Sequence, residues 1–246
     1  MLTRYEFRMI PDRPCRTRPE WGYHLYAAML ERLPREFGQR AHEDGPSPVS
    51  QFVCLRDGAL YWSVTLLGEE AEALAGPVLE ASGPFFLQKD RVALTPSLEV
   101  RESIADADEL FRRGGLGGRI HRLDVCTAAA FKSRGQYLSL PTPRLILQSL
   151  MKKWNGCFPD CPIVDEDGQG MEAMAEGLTL REFCLRDAAY SLKGRPIPGF
   201  RGTLTLENRL SGFHRELADA LLVFSGFSGV GIKTTLGMGG VRHISL

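Results

Sequence analysis

The amino-acid sequence predicts an α+β protein of two tandem ferredoxin-like (RRM-like) units, residues 1–117 and 118–246. Three observations carry that expectation. The first half orders its hydrophobic patterns as β-α-β-β-α-β, and the second half repeats that order more loosely. The 246 residues leave about 120 for each unit, enough for a core of its own.

In the first half, residues 2–10 alternate and read as a strand. The Pro/Arg-rich stretch Pro11–Pro19 leads into a helix from Trp21 to Leu33, which Pro34 interrupts. Pro34 suits the start of a second short helix, Arg35–His42, and Gly45-Pro46 with Pro48 ends it. Gln51–Leu55 and Leu60–Leu66 flank Arg56-Asp57-Gly58, where Asp-Gly between strand-like runs signals a hairpin. A helix Glu69–Leu79 and strands near Phe85–Gln88 and Arg91–Val100 complete the unit. The halves join around Asp106–Gly118.

The second half opens on a strand, Ile120–Ala130, and Thr142-Pro143 starts a helix reaching Trp154, because Pro at the first helical position after Thr is a start signal. A loop rich in Gly and Asp follows. Two strands surround Leu192-Lys-Gly-Arg195, and Gly199-Phe-Arg-Gly-Thr203 enters a third short strand. A helix His214–Phe224, a glycine-rich segment and a strand Val241–Leu246 end the chain.

Composition narrows the function classes. Charged residues at 24% and hydrophobic ones at 43% are globular values, and no run approaches the ~18 apolar residues of a membrane span. The N-terminus lacks the continuous apolar stretch of an export signal, so a cytoplasmic protein is expected. The cysteines at 15, 54, 126, 157, 161 and 184 are scattered and read as reduced thiols. Cys157 and Cys161 have no second Cys or His pair nearby, which disfavours zinc. Thirty basic residues balance thirty acidic ones, which argues against indiscriminate coating of nucleic acid but permits a local basic path. Its candidates are Arg13, Arg16 and Arg18; Arg112–Arg122; Lys132 and Arg134; and Lys152 and Lys153.

The segment Ser228–Gly240 carries glycines at 229, 231, 237, 239 and 240, with Lys233 and Thr234 between them. Glycines let backbone N–H groups approach phosphates, and Lys adds a point charge. A plain turn with positive φ is the alternative. A nucleotide P-loop fits poorly, because Ile232 separates Gly231 from Lys233-Thr234, and a helix precedes the segment where a P-loop needs one after it.

This segment resembles the signature loop of the CRISPR repeat-processing endoribonucleases, the sixth Cas family of the RAMP superfamily. Ala41-His-Glu-Asp-Gly-Pro46, Phe131-Lys-Ser-Arg-Gly-Gln-Tyr137 and Leu150-Met-Lys-Lys-Trp-Asn155 are similar to the same family, so the likeness spans the chain. It implies two ferredoxin-like domains with CRISPR repeat RNA along a cleft or face. It also implies cleavage by the RNA's own 2′-OH, leaving a 2′,3′-cyclic phosphate and a 5′-OH, with no metal or cofactor. Other Cas proteins are possible partners, as is a second copy of the chain.

Such chemistry needs a base for the 2′-OH, an acid for the leaving oxygen and cationic stabilisation of the phosphorane. His42 matches the position of the family's histidine; His24 on the first helix is the second candidate, and a surface position is its default reading. His121, His214 and His243 read as ordinary strand or helix-start residues. Tyr23 and Tyr26 are the positions available for a tyrosine that some family members place near the histidine, although helix aromatics usually serve the core. Glu43–Phe52 lacks the Lys that some members carry after the histidine, and Lys233 is the available substitute charge. Gly229, Gly231, Lys233, Thr234, Gly237 and Gly239, with Lys132, Arg134, Lys152 and Lys153, are the expected RNA contacts, and Trp154 is expected either to stack on a base or to be buried. A catalytically silent repeat-binding subunit of the same fold is the alternative function, and a nucleotide-binding enzyme the more distant one.

Overall fold

The computed structural model describes residues 1–34, 37–38 and 47–246. Apart from Phe37 and Gly38, the expected second short helix lies outside the described residues, and so does His42.

The first unit is built on β1 (Leu2–Pro11), α1 (Trp21–Leu30), β2 (Val49–Arg56), β3 (Ala59–Leu67), α2 (Glu69–Glu80), β4 (Phe85–Leu87) and β5 (Val92–Ile104). Its antiparallel sheet has the order β2-β3-β1-β5-β4, the ferredoxin-like order with β4 added at one edge. Alternation along β1 sends Tyr5, Phe7 and Met9 to the helix side, where they pack with Trp21, Leu25 and Met29 of α1 and Trp62 and Val64 of β3. Asp57 and Gly58 both take positive φ, 50° and 76°, as a tight two-residue hairpin requires.

The second unit comprises β6 (Ile120–Ala129), the hairpin β7 (Phe131–Ser133) and β8 (Gln136–Leu138), α4 (Pro143–Cys157), α5 (Gln169–Gly177), β9 (Leu178–Leu192), β10 (Arg195–Asn208), α6 (Gly212–Ser228) and β11 (Val241–Ser245). Its main sheet runs β11-β6-β10-β9, the same topology. The Thr142 hydroxyl accepts from Leu145 N at 3.2 Å, the cap expected ahead of Pro143.

Three expectations need correction. Asp106–Gly118 is not a bare joint but holds α3 (Ala107–Leu116). Asp106 Oδ1 accepts from Glu109 N at 2.9 Å and Glu109 Oε2 accepts from Ala105 N at 2.8 Å, a variant of the capping box shifted by one residue that starts the helix despite its glycines. The Gly/Asp-rich loop contains α5, whose amides Gly170 N and Met171 N donate to Asp165 at 3.1 and 2.8 Å. The strand expected at Gly199–Thr203 is the middle of a continuous β10, with a bulge between Phe200 and Gly202.

Helix α6 sits between the units, and every residue from Leu217 to Ser228 is buried. On one side it packs against α3, α4 and β11; on the other Arg4 of β1 reaches Gly226 O at 3.4 Å and Ser50 of β2 donates to Ser228 O at 3.0 Å. The glycine-rich loop is thereby wedged at the junction of both sheets. No described helix is long and apolar enough to cross a membrane.

Candidate functional site: the glycine-rich loop and the first helix

The loop leaves α6 at Gly229, makes a 3-10 turn over Thr234–Leu236 and enters β11 at Val241. Its amides do not point outward as the sequence suggested. Gly229 N donates to Ser225 O, Gly231 N to Ser149 Oγ, Gly237 N to Thr234 O and Gly239 N to Ala128 O, at 2.8–3.4 Å. Val230, Ile232, Met238 and Gly240 likewise donate to protein acceptors. The glycines are needed for close packing: Gly239 has φ 60°, and a Cβ there would stand 1.9 Å from Val230 O. Thr234 is also turned inward, 8% exposed, with its methyl under Gly229 and Gly239. Lys233, held at φ 56°, is the exposed residue of the segment.

Two neighbouring elements grip the loop from outside. On β2, Gln51 Nε2 donates to Thr235 O at 2.9 Å, while Trp62 Nε1 donates to Gln51 Oε1 at 3.0 Å and fixes that amide. The Thr235 hydroxyl lies 2.6 Å from Ser47 Oγ and 3.0 Å from Val49 O. On β9, the buried Tyr190 donates to Leu236 O at 2.7 Å and lies 3.4 Å from Pro19 O, just ahead of α1. None of Ser47, Gln51, Thr235 or Tyr190 carried a sequence signal, because each acts through a partner more than 40 residues away.

The loop therefore abuts the first turn of α1. A Cβ at Gly22 would lie 3.5 Å from Gly237 Cα, and the next two residues are Tyr23 and His24. Both are half-buried, with rings edge to face at 5.6 Å between centroids. Tyr26 faces the other way. It is 4% exposed in the first unit's core, its hydroxyl has no hydrogen-bond partner among the described residues, and burial pushes its pKa up to about 12. A phenol so placed is a core residue and a poor proton donor at neutral pH.

The basic candidates divide in two. Lys132 and Arg134 are exposed on the β7–β8 hairpin, which begins beside the loop where Ile232 N meets Ala130 O. Lys152 is exposed on α4. Lys153 turns its Nζ inward onto Ser228 O and Gly229 O. Trp154 is fully buried and donates to Cys161 O, so it packs in the core and cannot stack on a base. In the mid-chain cluster Arg113 pairs with Glu102 and Glu109, Arg119 with the carbonyls of Asn208 and Leu210, and Arg122 with Asp124.

Comparisons with known proteins give the chain's family and its fold. Residues 123–241 match the sequence profile of the family described as CRISPR-associated endoribonuclease Cas6. The CRISPR-associated endoribonuclease Cas6 of Mycobacterium tuberculosis is 31% identical over 231 residues, 90% of this chain and 71% of the relative. The protein of that name from Streptococcus thermophilus is 35% identical over 218 residues, 89% of each chain. Among solved structures, a Cas6 product complex superposes over the whole of both chains with a TM-score of 0.78 at 23% identity. A RAMP protein described as binding different RNA substrates does so with 0.63 at 13%. At those identities the two structures speak for the tandem ferredoxin-like fold. With two relatives above 30% identity and most of their length covered, this chain belongs to the CRISPR-associated endoribonuclease Cas6 family.

Proposed function

We propose that the chain binds CRISPR repeat RNA across the glycine-rich loop and the first turn of α1 and cuts it there without a metal. The 2′-OH 5′ to the cut attacks the adjacent phosphorus, forming a 2′,3′-cyclic phosphate, and the 5′-oxygen leaves with a proton. The observation that carries this reading is the packing of the Lys233 loop against both α1 and the start of β2. His42 is assigned by its position in the sequence, five residues before Ser47. Ser47 is bonded to Thr235, and Gly22, next to Tyr23 and His24, packs against Gly237 of the loop. In that site His42 exchanges the protons, Lys233 supplies positive charge to the phosphorane, and Lys132, Arg134 and Lys152 meet flanking phosphates.

Incubating the protein with its repeat RNA in EDTA, intact or with a single 2′-deoxy nucleotide 5′ to the cut, tests the reaction. Cleavage of the intact RNA and none of the deoxy form is the expected result. Cutting of the deoxy substrate at the normal rate, or inhibition by EDTA, overturns the transesterification. The rival reading, a silent repeat-binding subunit, draws on the absence of Lys and Arg from Glu43–Phe52. Tight binding without any cut would favour it.

A further inference from the structure

Helix α4 presents two polar side chains, Ser149 and Lys153, one turn apart on the face toward the glycine-rich loop. Lys153 Nζ donates to Ser228 O at 3.1 Å and to Gly229 O at 2.9 Å. These carbonyls end α6 beyond the helix's own hydrogen bonds; Ser228 O also accepts from Ser50 Oγ and Gly229 O from Ser228 Oγ, each at 3.0 Å, and the partial negative charge of the helix end favours a cation beside them. Ser149 Oγ accepts from Gly231 N at 2.8 Å and lies 3.4 Å from Gly231 O. Residues 228, 229 and 231 are thus pinned from one helix face, two positions ahead of Lys233. The Thr234 methyl stands 3.0 Å from where a Cβ on Gly229 would be, so the stretch packs closely over Thr234 and leaves no room for a side chain.

A lysine that met RNA phosphates would keep its ammonium in solvent. That of Lys153 lies deep enough for desolvation to bring its pKa down to about 7, and its hydrogen bonds are spent on the loop.

We propose that Lys153, with Ser149, is a positioning residue that fixes the exit of α6 and so aims Lys233 at the RNA backbone, without itself touching RNA. The proposal rests on the reading of the loop as an RNA contact. It also separates two lysines that look alike in the sequence: Lys152 faces solvent on the same helix, and Lys153 holds the loop.

Three variants measured side by side test it: Lys153→Met, Ser149→Ala and Lys233→Ala. Each is assayed for repeat affinity over a range of salt, for single-turnover rate at saturating RNA, for melting temperature, and for hydrogen exchange of the loop amides in the free protein. Lys153→Met is expected to weaken repeat binding about 10-fold, the scale of one lost hydrogen bond to a buried acceptor. Its log–log salt slope should match wild type, because no phosphate contact is lost, whereas Lys233→Ala should lower the slope by about one. The Gly229 and Gly231 amides should exchange faster in Lys153→Met. Ser149→Ala, the milder change, should show the same pattern at smaller amplitude, and it keeps the test open if Lys153→Met does not fold.

A salt slope that falls in Lys153→Met as in Lys233→Ala means a direct phosphate contact and overturns the proposal. A lower melting temperature with unchanged affinity and unchanged rate means that Lys153 supports only the fold, and also overturns it. An unchanged slope in Lys233→Ala, with faster loop exchange in Lys153→Met, overturns the loop as an RNA contact and the aiming role with it. Unchanged loop exchange in Lys153→Met overturns the aiming role alone.

Discussion

The two units cross from their second helix back to the sheet at topologically equivalent places, and they do so in opposite ways. In the first unit, α2 ends in Ala81–Pro84, an exposed turn whose carbonyls at Gly83 and Pro84 are met by Arg32. In the second, α6 gives way to the segment 229–240, whose amides are largely consumed inside the protein and whose carbonyls at Gly229, Thr235 and Leu236 are held by Lys153, Gln51 and Tyr190. The helices explain the contrast. One face of α2 looks at solvent, whereas α6 is buried between the units from Leu217 to Ser228, so most of the backbone leaving it is shielded from water and is satisfied by neighbours. Order of this kind in the free state lowers the cost of binding.

Matched alanine substitutions should expose that difference most strongly. At Gly239 a Cβ meets Val230 O at 1.9 Å and φ is 60°, so Gly239→Ala should cost at least about 3 kcal/mol of stability. At Gly83 nothing lies within 4 Å, and Gly83→Ala should stay within about 0.5 kcal/mol of wild type. Urea unfolding of the two variants decides. Similar losses would mean that the two crossings are mechanically alike.

In the reaction proposed above, the first unit supplies the proton-transfer candidates and the second the cation. His42→Ala should slow single-turnover cleavage about 10²-fold, near 2.7 kcal/mol, with repeat affinity nearly unchanged. His24→Ala should leave the rate within about threefold. The reverse ranking would move the acid or base onto α1, beside Tyr23.

Acid should find the second unit first. His243 Nε2 lies 3.0 Å from His121 Nδ1, and His121 Nε2 lies 2.9 Å from Asp219 Oδ1, a buried chain joining β11, β6 and α6. Burial lowers the His243 pKa to about 4, and the neighbouring His121 adds to that. The unfolded chain, with an ordinary histidine near 6.5, therefore takes up this proton first. Stability should fall as pH drops from about 6.5 to 4 and level off below, by about 1–3 kcal/mol in total. Unfolding free energies of wild type and His243→Gln across that range test the sign, and a step of equal size in both would acquit His243.

Local signals were legible in the sequence, and long-range ones were not. Asp57-Gly58 and Thr142-Pro143 each announce a turn or a helix start through their own backbone preferences, and both stand where expected. The capping box Asp106…Glu109 was equally local, but Gly114, Gly115, Gly117 and Gly118 masked it as a linker. At the site the sequence revealed the glycines without revealing their use. That use depends on Ala128, Val230 and Ser149 closing in from elements far apart in the chain. Lys152 and Lys153 could not be told apart either, because a helix sends adjacent residues about 100° apart and only tertiary packing says which face is covered.

The smallest expected effect falls on Tyr190, where the second unit reaches across to the first. Its ring is fully buried with Ala130, Ile197 and Met238, and its hydroxyl donates to the loop at Leu236 O and lies 3.4 Å from Pro19 O, two residues ahead of α1. Burial raises the phenol's pKa, so the hydroxyl stays a donor throughout the working pH range. Tyr190→Phe keeps the ring and its packing and removes one donor. A buried carbonyl left without its partner costs about 1–2 kcal/mol, so a loss near 1 kcal/mol is expected, with a modest fall in melting temperature. The loop keeps its other anchors on α4 and β2, so cleavage should slow no more than about threefold. A loss of activity as deep as that expected for His42→Ala, in a variant that still melts cooperatively, would show that the bridge from β9 to α1 sets the site's geometry, and that the two units are coupled more tightly there than through the core around α6.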